Sequence, residues 1–200
     1  MTFSGELLRK AVHLASIVIP LAALLMEKTL LVMVLAGAAL LLLLVDYLKL
    51  RNHGFKAFFM SAFGELLRKH ERQGGITGST ILVASAALTI LVYRQETAVA
   101  ALLFLSLGDS MAALVGRRYG RIRLVCGRTL EGSLAALLSC LFASAVLLLI
   151  CPFFGWHLTP FALIAGSLAA TVVELVDIPL DDNFRIPVIS GLVMELLIPG

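Results

Sequence analysis

Six long stretches with almost no charge constrain this chain more than any other feature: 11–26, 29–45, 76–93, 97–116, 132–156 and 158–173. Each is near the ~17–25 residues that a helix needs to cross the hydrocarbon layer of a bilayer. Within them the apolar residues run in unbroken blocks, without the spacing that gives a soluble helix one wet face. A further segment, 186–200, is shorter than a full span and carries Glu195. The expected fold is therefore all-α: a polytopic membrane bundle of six spans and a shorter seventh. With 60% hydrophobic residues in a chain of 200, the expectation is one membrane-embedded domain over 1–200, with no soluble domain attached.

Charge sets the expected orientation. Glu6, Arg9, Lys10 and His13 occupy the opening turns of the first helix, which argues against a cleavable signal. If the N-terminus is cytoplasmic, Arg9 and Lys10 lie inside. So do Lys49, Arg51, Lys56, Arg68, Lys69 and Arg72 in the second connection, five arginines in the fourth, and Arg185 in the sixth. Only Lys28 and Arg94 then fall outside, and the positive-inside rule selects that topology. The inner connections (46–75, 117–131 and 174–187) are also the long ones, so the inner face is where a site is expected. The first of them holds an amphipathic stretch. Phe55, Phe58, Phe59, Phe63, Leu66 and Leu67 recur at helical spacing among Lys56, Glu65, Arg68, Lys69 and Arg72, which suits an interfacial helix at about 55–72. It either anchors the loop or gates lipid entry. The hexapeptide of residues 5–10, Gly-Glu-Leu-Leu-Arg-Lys, returns at 64–69, too short an echo to mark a repeat architecture.

Asp109 is the polar residue hardest to explain by structure alone. A carboxylate within a span costs roughly 2.5–3.5 kcal/mol on insertion scales, so it reads as a functional group, or else as a polar tie between helices. Ala112, Ala113 and Gly116 share its face, and Gly116 lies about 10 Å further along the helix. An arginine-rich loop follows: Arg117, Arg118, Arg121, Arg123, then Gly127, Arg128 and Thr129, before Glu131, Gly132 and Ser133 open the next helix. Arginine forks and a helix N-terminus both favour phosphate oxygens. A topology signal alone explains the arginines but not Glu131 among them. No GxxxxGK[ST] or GxGxxG pattern is present.

Other groups point the same way. Glu6, Arg9, Lys10 and His13 share one helical face. Thr77 and Thr80, after Gly74 and Gly75, offer hydroxyls to a phosphate or sugar, or merely cap an entry turn. Glu174, Asp177, Asp181 and Asp182, with Asn183, suit Mg²⁺ bound together with substrate phosphates, or form a solvated acidic turn. The cysteines, Cys126, Cys140 and Cys151, have neither CxxC spacing nor a neighbouring histidine ligand, so they read as small apolar-tolerant residues. Phosphate chemistry at a membrane surface is the common denominator, and no nucleic-acid partner is expected.

Five segments, in order along the chain, resemble the dolichol kinase, phytol kinase and CTP-dependent diacylglycerol kinase family, especially its small bacterial members. They are Glu6 to His13; His70 to Gly78; Gly108-Asp109-Ser110 with Gly116 to Gly120; Gly127 to Ser133; and Asp181-Asp182-Asn183 with Pro187. The chain departs from the family in having Arg128 where a lysine is usual, which keeps the charge and changes its geometry. The resemblance implies transfer of the γ-phosphate of CTP to the hydroxyl of a membrane lipid alcohol, with Mg²⁺, at the cytoplasmic face of a bacterial inner membrane. It assigns Arg117, Arg118, Arg121 and Arg128, with Gly127, Thr129, Gly132, Ser133 and Asn183, to the nucleotide. Asp109, Glu131 and Asp182 become candidates for catalysis, and Asp109, Asp182 and Glu174 for metal binding. Arg9, Lys10, His13, Thr77 and Thr80 would orient lipid or nucleotide. A CTP:phosphatidate cytidylyltransferase would use similar equipment, and a lipid-phosphate or anion transporter is a third reading. The identity of the alcohol and the oligomeric state stay open.

Overall fold

The computed structural model of the chain describes residues 3–124, 127–176 and 178–198, with side chains from Leu8 onward. Cys126, Asp177 and the side chain of Glu6 lie outside the described residues. The described chain is helical, apart from connections and one isolated bridge between Arg123 and Thr129. In order the helices are α1 (Phe3–Ala15), α2 (Val18–Leu25), α3 (Lys28–Arg51), α4 (His53–Phe63), α5 (Lys69–Arg72) and α6 (Gly78–Val92). Then come α7 (Gln95–Leu103), a π-helical turn (Phe104–Asp109), α8 (Ser110–Tyr119), α9 (Leu130–Phe154), α10 (Pro160–Leu175) and α11 (Asp182–Leu197). Among the described residues four stretches are long and apolar enough to cross a membrane: Leu8–Leu25, Lys28–Arg51, Gln95–Tyr119 and Leu130–Phe154. The apolar helices Gly78–Val92 and Pro160–Leu175 are shorter.

Local chemistry sets the helix ends. Thr129 and Thr159 cap α9 and α10 by accepting from the amides of Gly132 and Ala162, and Pro160 follows at the first helical position. Gly155, at φ 64°, closes α9 in the left-handed conformation that glycine adopts without strain. The core gathers on α7 and the π turn, where Val99, Phe104 and Leu105 are buried against Leu163, Ile186 and Met194. α10 lies along α11, α3 along α6, and α8 along α9.

Two boundaries differ from the sequence reading. The second apolar run was expected to end at 45, yet α3 continues to Arg51 and buries Asp46 and Lys49. A lysine and an aspartate three residues apart neutralise each other on one helical face, so the helix can continue. The amphipathic stretch is also not one helix. It breaks at Gly64 into a short 3₁₀ turn and resumes at Lys69. The break buries Leu67 and delivers the Arg68 amide to the Glu71 carboxylate at 3.0 Å. Phe58 and Phe63 on α4 remain exposed, while along the helix Phe55 stacks on Phe59 and Phe59 meets Phe63 at a tilt.

Candidate active site

The site starts at a defect in a helix. Between α7 and α8 the backbone widens into the π turn that ends at Asp109, a distortion often found at functional positions. The polar face of α1 docks there. Lys10 Nζ donates to Asp109 Oδ2 at 2.6 Å, and His13 Nε2 lies 3.2 Å from the same oxygen and 3.4 Å from the Leu105 carbonyl. One turn on, the hydroxyls of Ser16 and Ser106 are 2.9 Å apart. Small residues let neighbouring helices close in behind the turn. A Cβ on Gly108 would stand 2.9 Å from Cys140 Sγ, and one on Gly132 would stand 2.7 Å from the Ala112 carbonyl.

A second cluster is built around Arg128, from the loop before α9. Its NH1 lies 2.9 Å from Glu174 at the end of α10, and its NH2 is 3.1 Å from Asp182 at the start of α11. Asp182 is held from its other side by Arg185, whose NH1 donates to the Val176 carbonyl at 2.6 Å. Burial opposes the charge on Arg128, but Glu174 first, then Asp182 and Asp109, overcome it and hold its pKa above the ordinary guanidinium value. The cation therefore stays charged while tying three segments together.

Both clusters open on one cavity of about 530 Å³. Arg9, Lys10, Arg68, Arg117 and Arg128 line it with Asp109, Glu174 and Asp182, and its floor includes Gly116, Thr129, Gly132 and Ser133. Excess positive charge over a floor at a helix N-terminus suits a polyanion. A second cavity of about 360 Å³ adjoins it, mostly apolar, between α1, α6 and the Leu66–Leu67 turn. Arg9, Lys10, Arg68 and Asp109 line both.

Several expected residues are not brought to the first cavity, and each has a physical reason. Thr77 and Thr80 turn their hydroxyls to Asp46, at 3.2 and 2.8 Å, and neither lines this cavity. Glu131 folds back to accept from the Ile122 amide at 3.2 Å, so it braces the loop rather than reaching the cavity. Arg118 lies over the ring of its neighbour Tyr119, and Arg121 is exposed. Asn183 donates to the Gly78 carbonyl at 3.1 Å and lines the apolar cavity, not the polar one. Cys140 and Cys151 are buried and free. Conversely, the sequence reading gives Arg185 only as positive-inside charge, and Arg68 as that and as part of the amphipathic stretch and the echoed hexapeptide. The signal for Arg185 is its spacing of three from Asp182; neither pattern around Arg68 points to a cavity.

Mg²⁺ is compatible with this donor set in a limited way. Among the described residues no group of three His, Cys, Asp or Glu side chains is arranged to hold a metal ion by itself. However, Glu174 Oε2 is buried without a hydrogen-bond partner, an oxygen that a cation bridged to substrate phosphates would satisfy.

Comparison with known proteins agrees with this chemistry. No family model matches the chain. No solved structure matches it either. An uncharacterized protein of Rickettsia prowazekii is 25% identical over 189 residues, 92% of this chain and 91% of that protein. The protein named probable phytol kinase 2 of Glycine max is 32% identical over 133 residues, 61% of this chain and 46% of its own length. CTP-dependent diacylglycerol kinase 1 of Schizosaccharomyces pombe is 27% identical over 171 residues, 76% of this chain and 74% of its own length. The chain thus spans about half the length of the phytol kinases it matches. Its similarity is to proteins named phytol kinase and CTP-dependent diacylglycerol kinase, at 24–32% identity.

Proposed function

We propose that the chain is a CTP-dependent lipid kinase, which transfers the γ-phosphate of CTP to the hydroxyl of a polyprenol, phytol or diacylglycerol. The observation that carries this reading is the meeting of a cationic cavity and an apolar one at a wall made by Asp109, Lys10, Arg9 and Arg68. A triphosphate suits the first and a lipid chain the second, so the reacting atoms meet beside Asp109. The names of the relatives supply CTP and the lipid alcohol.

Transfer of a phosphoryl group asks mainly for positioning and charge neutralisation. Asp109 is the one acid of the polar cavity that also lines the apolar one, so it orients the lipid hydroxyl and takes its proton. The lipid oxygen bonds to the γ-phosphorus as the bond to the β–γ bridging oxygen breaks, and the charge leaves on CDP. Lys10 pairs with Asp109 and places it, His13 holds it from the side, and Arg128 with Arg117 faces the triphosphate. Glu174 and Asp182 would hold Mg²⁺, which supplies further neutralisation of phosphate charge when bound.

The reading extends to topology. The chain forms one domain of six or seven crossings with the N-terminus and both cavities on the cytoplasmic side, as the basic connections favour. The 53–72 segment lies in the headgroup plane with Phe58 and Phe63 toward lipid. The test uses purified protein in lipid with Mg²⁺ and CTP labelled at either end. Label reaching lipid from γ-labelled CTP is the expected outcome. Label from α-labelled CTP alone would make it a cytidylyltransferase, and lipid-phosphate flux without turnover would make it a transporter.

A further inference from the structure

The lipid kinase reading as stated gives Arg68, at the junction of the cavities, no role of its own. Arg68 lines both, yet no carboxylate of the polar cavity holds it. Its NH1 lies 2.5 Å from Asp181 Oδ2, while Asp181 Oδ1 caps α11 by accepting from the Asn183 amide at 2.9 Å. Two other cations of the polar cavity are engaged by its own acids: Lys10 by Asp109, and Arg128 by Glu174 and Asp182.

Arg68 is also supported differently. It follows the break at Gly64, in extended backbone, and its side chain is 31% exposed, against 9% for Lys10. The same turn carries Leu66 and Leu67 into the wall of the apolar cavity. Here the echoed hexapeptide has a structural counterpart. The copy at 5–10 is helical and the copy at 64–69 is broken, but each places its arginine, Arg9 or Arg68, at the shared wall. α1 packs directly against the 64–66 turn.

We propose that Arg68 is a catalytic residue: with nucleotide and lipid both bound, its guanidinium leaves Asp181 and pairs with the γ-phosphoryl oxygens in transit. The phosphoryl group passes from one cavity to the other, so only a side chain at the shared wall touches it throughout. A planar fork matches two phosphate oxygens, and the charge of the transition state is spread over them. Arg68 exchanges no proton. The hydroxyl proton goes to Asp109, the lipid oxygen gains the bond to phosphorus, and the diphosphate leaves with the electron pair of the broken bond. Because the turn that holds Arg68 also walls the lipid cavity, a bound lipid chain against Leu66 and Leu67 positions the arginine.

This inference rests on the lipid kinase reading, and the two fail differently. If the wild-type protein phosphorylates no lipid, the kinase reading fails; the inference is tested by variants of an active protein. In Arg68→Ala, kcat should fall roughly 100-fold or more, the scale of a lost transition-state donor, with KM for CTP within about threefold. Added guanidinium should restore part of the rate. Asp181→Asn, which keeps a side-chain oxygen to cap α11 and removes the charge that holds Arg68, should keep kcat within about threefold. An Arg68→Ala loss that appears in KM instead of kcat overturns the proposal. So does an Asp181→Asn variant that reproduces the loss, because Arg68 would then serve only to hold α11. If Arg68→Ala does not purify as a folded protein, Arg68→Lys decides: wild-type kcat in that variant overturns the role of the fork.

Discussion

Among the described residues two lysine–aspartate pairs lie buried, Lys10 with Asp109 at 2.6 Å and Lys49 with Asp46 at 2.9 Å. Their chemistry is the same and their surroundings are not. Asp46 is saturated: it accepts from Lys49, from the Thr77 amide at 3.0 Å, and from the Thr77 and Thr80 hydroxyls. Lys49 donates in addition to the Gly75 carbonyl at 3.1 Å and sits 5.6 Å from the centre of the Phe59 ring. Neither residue lines a described cavity. Asp109 meets Lys10 and His13 through a single oxygen, Oδ2, and its residue lines both cavities. The difference teaches that a buried acid in a membrane bundle is judged by what its remaining hydrogen-bonding capacity faces. Asp46 faces the backbone of its own fold and holds the α3–α6 corner; Asp109 faces space for a ligand.

The sharpest way to break the comparison is to neutralise one acid at a time. Asp109→Asn should leave a folded protein and cost roughly 1000-fold in turnover, within the range for a positioned acid–base group. Lipid phosphorylation normalised to folded protein measures it, and near-wild-type activity would remove Asp109 from catalysis.

At the other pair the expected loss is in stability. Lys49→Met leaves Asp46 buried with an uncompensated charge and should cost about 3 kcal/mol or more. The double variant Asp46→Leu, Lys49→Met should recover much of that, because it removes both charges together. Thermal unfolding in detergent reads both, and the folded fraction should keep its turnover. A double variant no more stable than the single one would show that the hydrogen bonds to Thr77 and Thr80, rather than the charge pair, hold this corner.

The same contrast separates what the sequence made legible from what it did not. The long apolar runs became helices because lipid and a dry interior both require internally bonded backbone. Asp109, Arg128 and Asp182 could be read as exceptional because a charge in or beside an apolar helix is costly, and the structure brings all three to one cavity. The π turn was illegible, since nothing in Phe104-Leu105-Ser106-Leu107-Gly108-Asp109 marks a widened backbone. The partner of Thr77 and Thr80 was illegible for a different reason. Their partner Asp46 lies more than thirty residues earlier, beyond any local pattern, and a hydroxyl near a glycine turn looks the same whether it meets phosphate or carboxylate. Glu131 resembled an acid set among arginines for a ligand, but its side chain reaches an amide nine residues back.

Arg128 gives a smaller, more specific test on the side of the ligand-facing acids. Arg128→Lys keeps the charge and loses the fork that spans Glu174 and Asp182. KM for the nucleotide should rise about tenfold, the low end for a lost charge-assisted hydrogen bond, with a smaller change in kcat. An unchanged KM would mean that Arg128 serves only to join α10 to α11.

The smallest expected effect decides which side of the comparison the threonines belong to. Thr77→Val removes the hydroxyl bonds to Asp46 and to Thr80 while leaving the Thr77 amide, the Thr80 bond to Asp46 and Lys49 in place. The cost should be about 1–2 kcal/mol of stability, the usual net worth of one or two buried hydrogen bonds. KM for CTP and for the lipid should stay unchanged, because neither Thr77 nor Thr80 lines a described cavity. A raised KM in a variant of unaltered stability would move Thr77 to the ligand side. Asp46 would then be part of the site, connected to the apolar cavity through Gly78, which follows Thr77 and lines that wall.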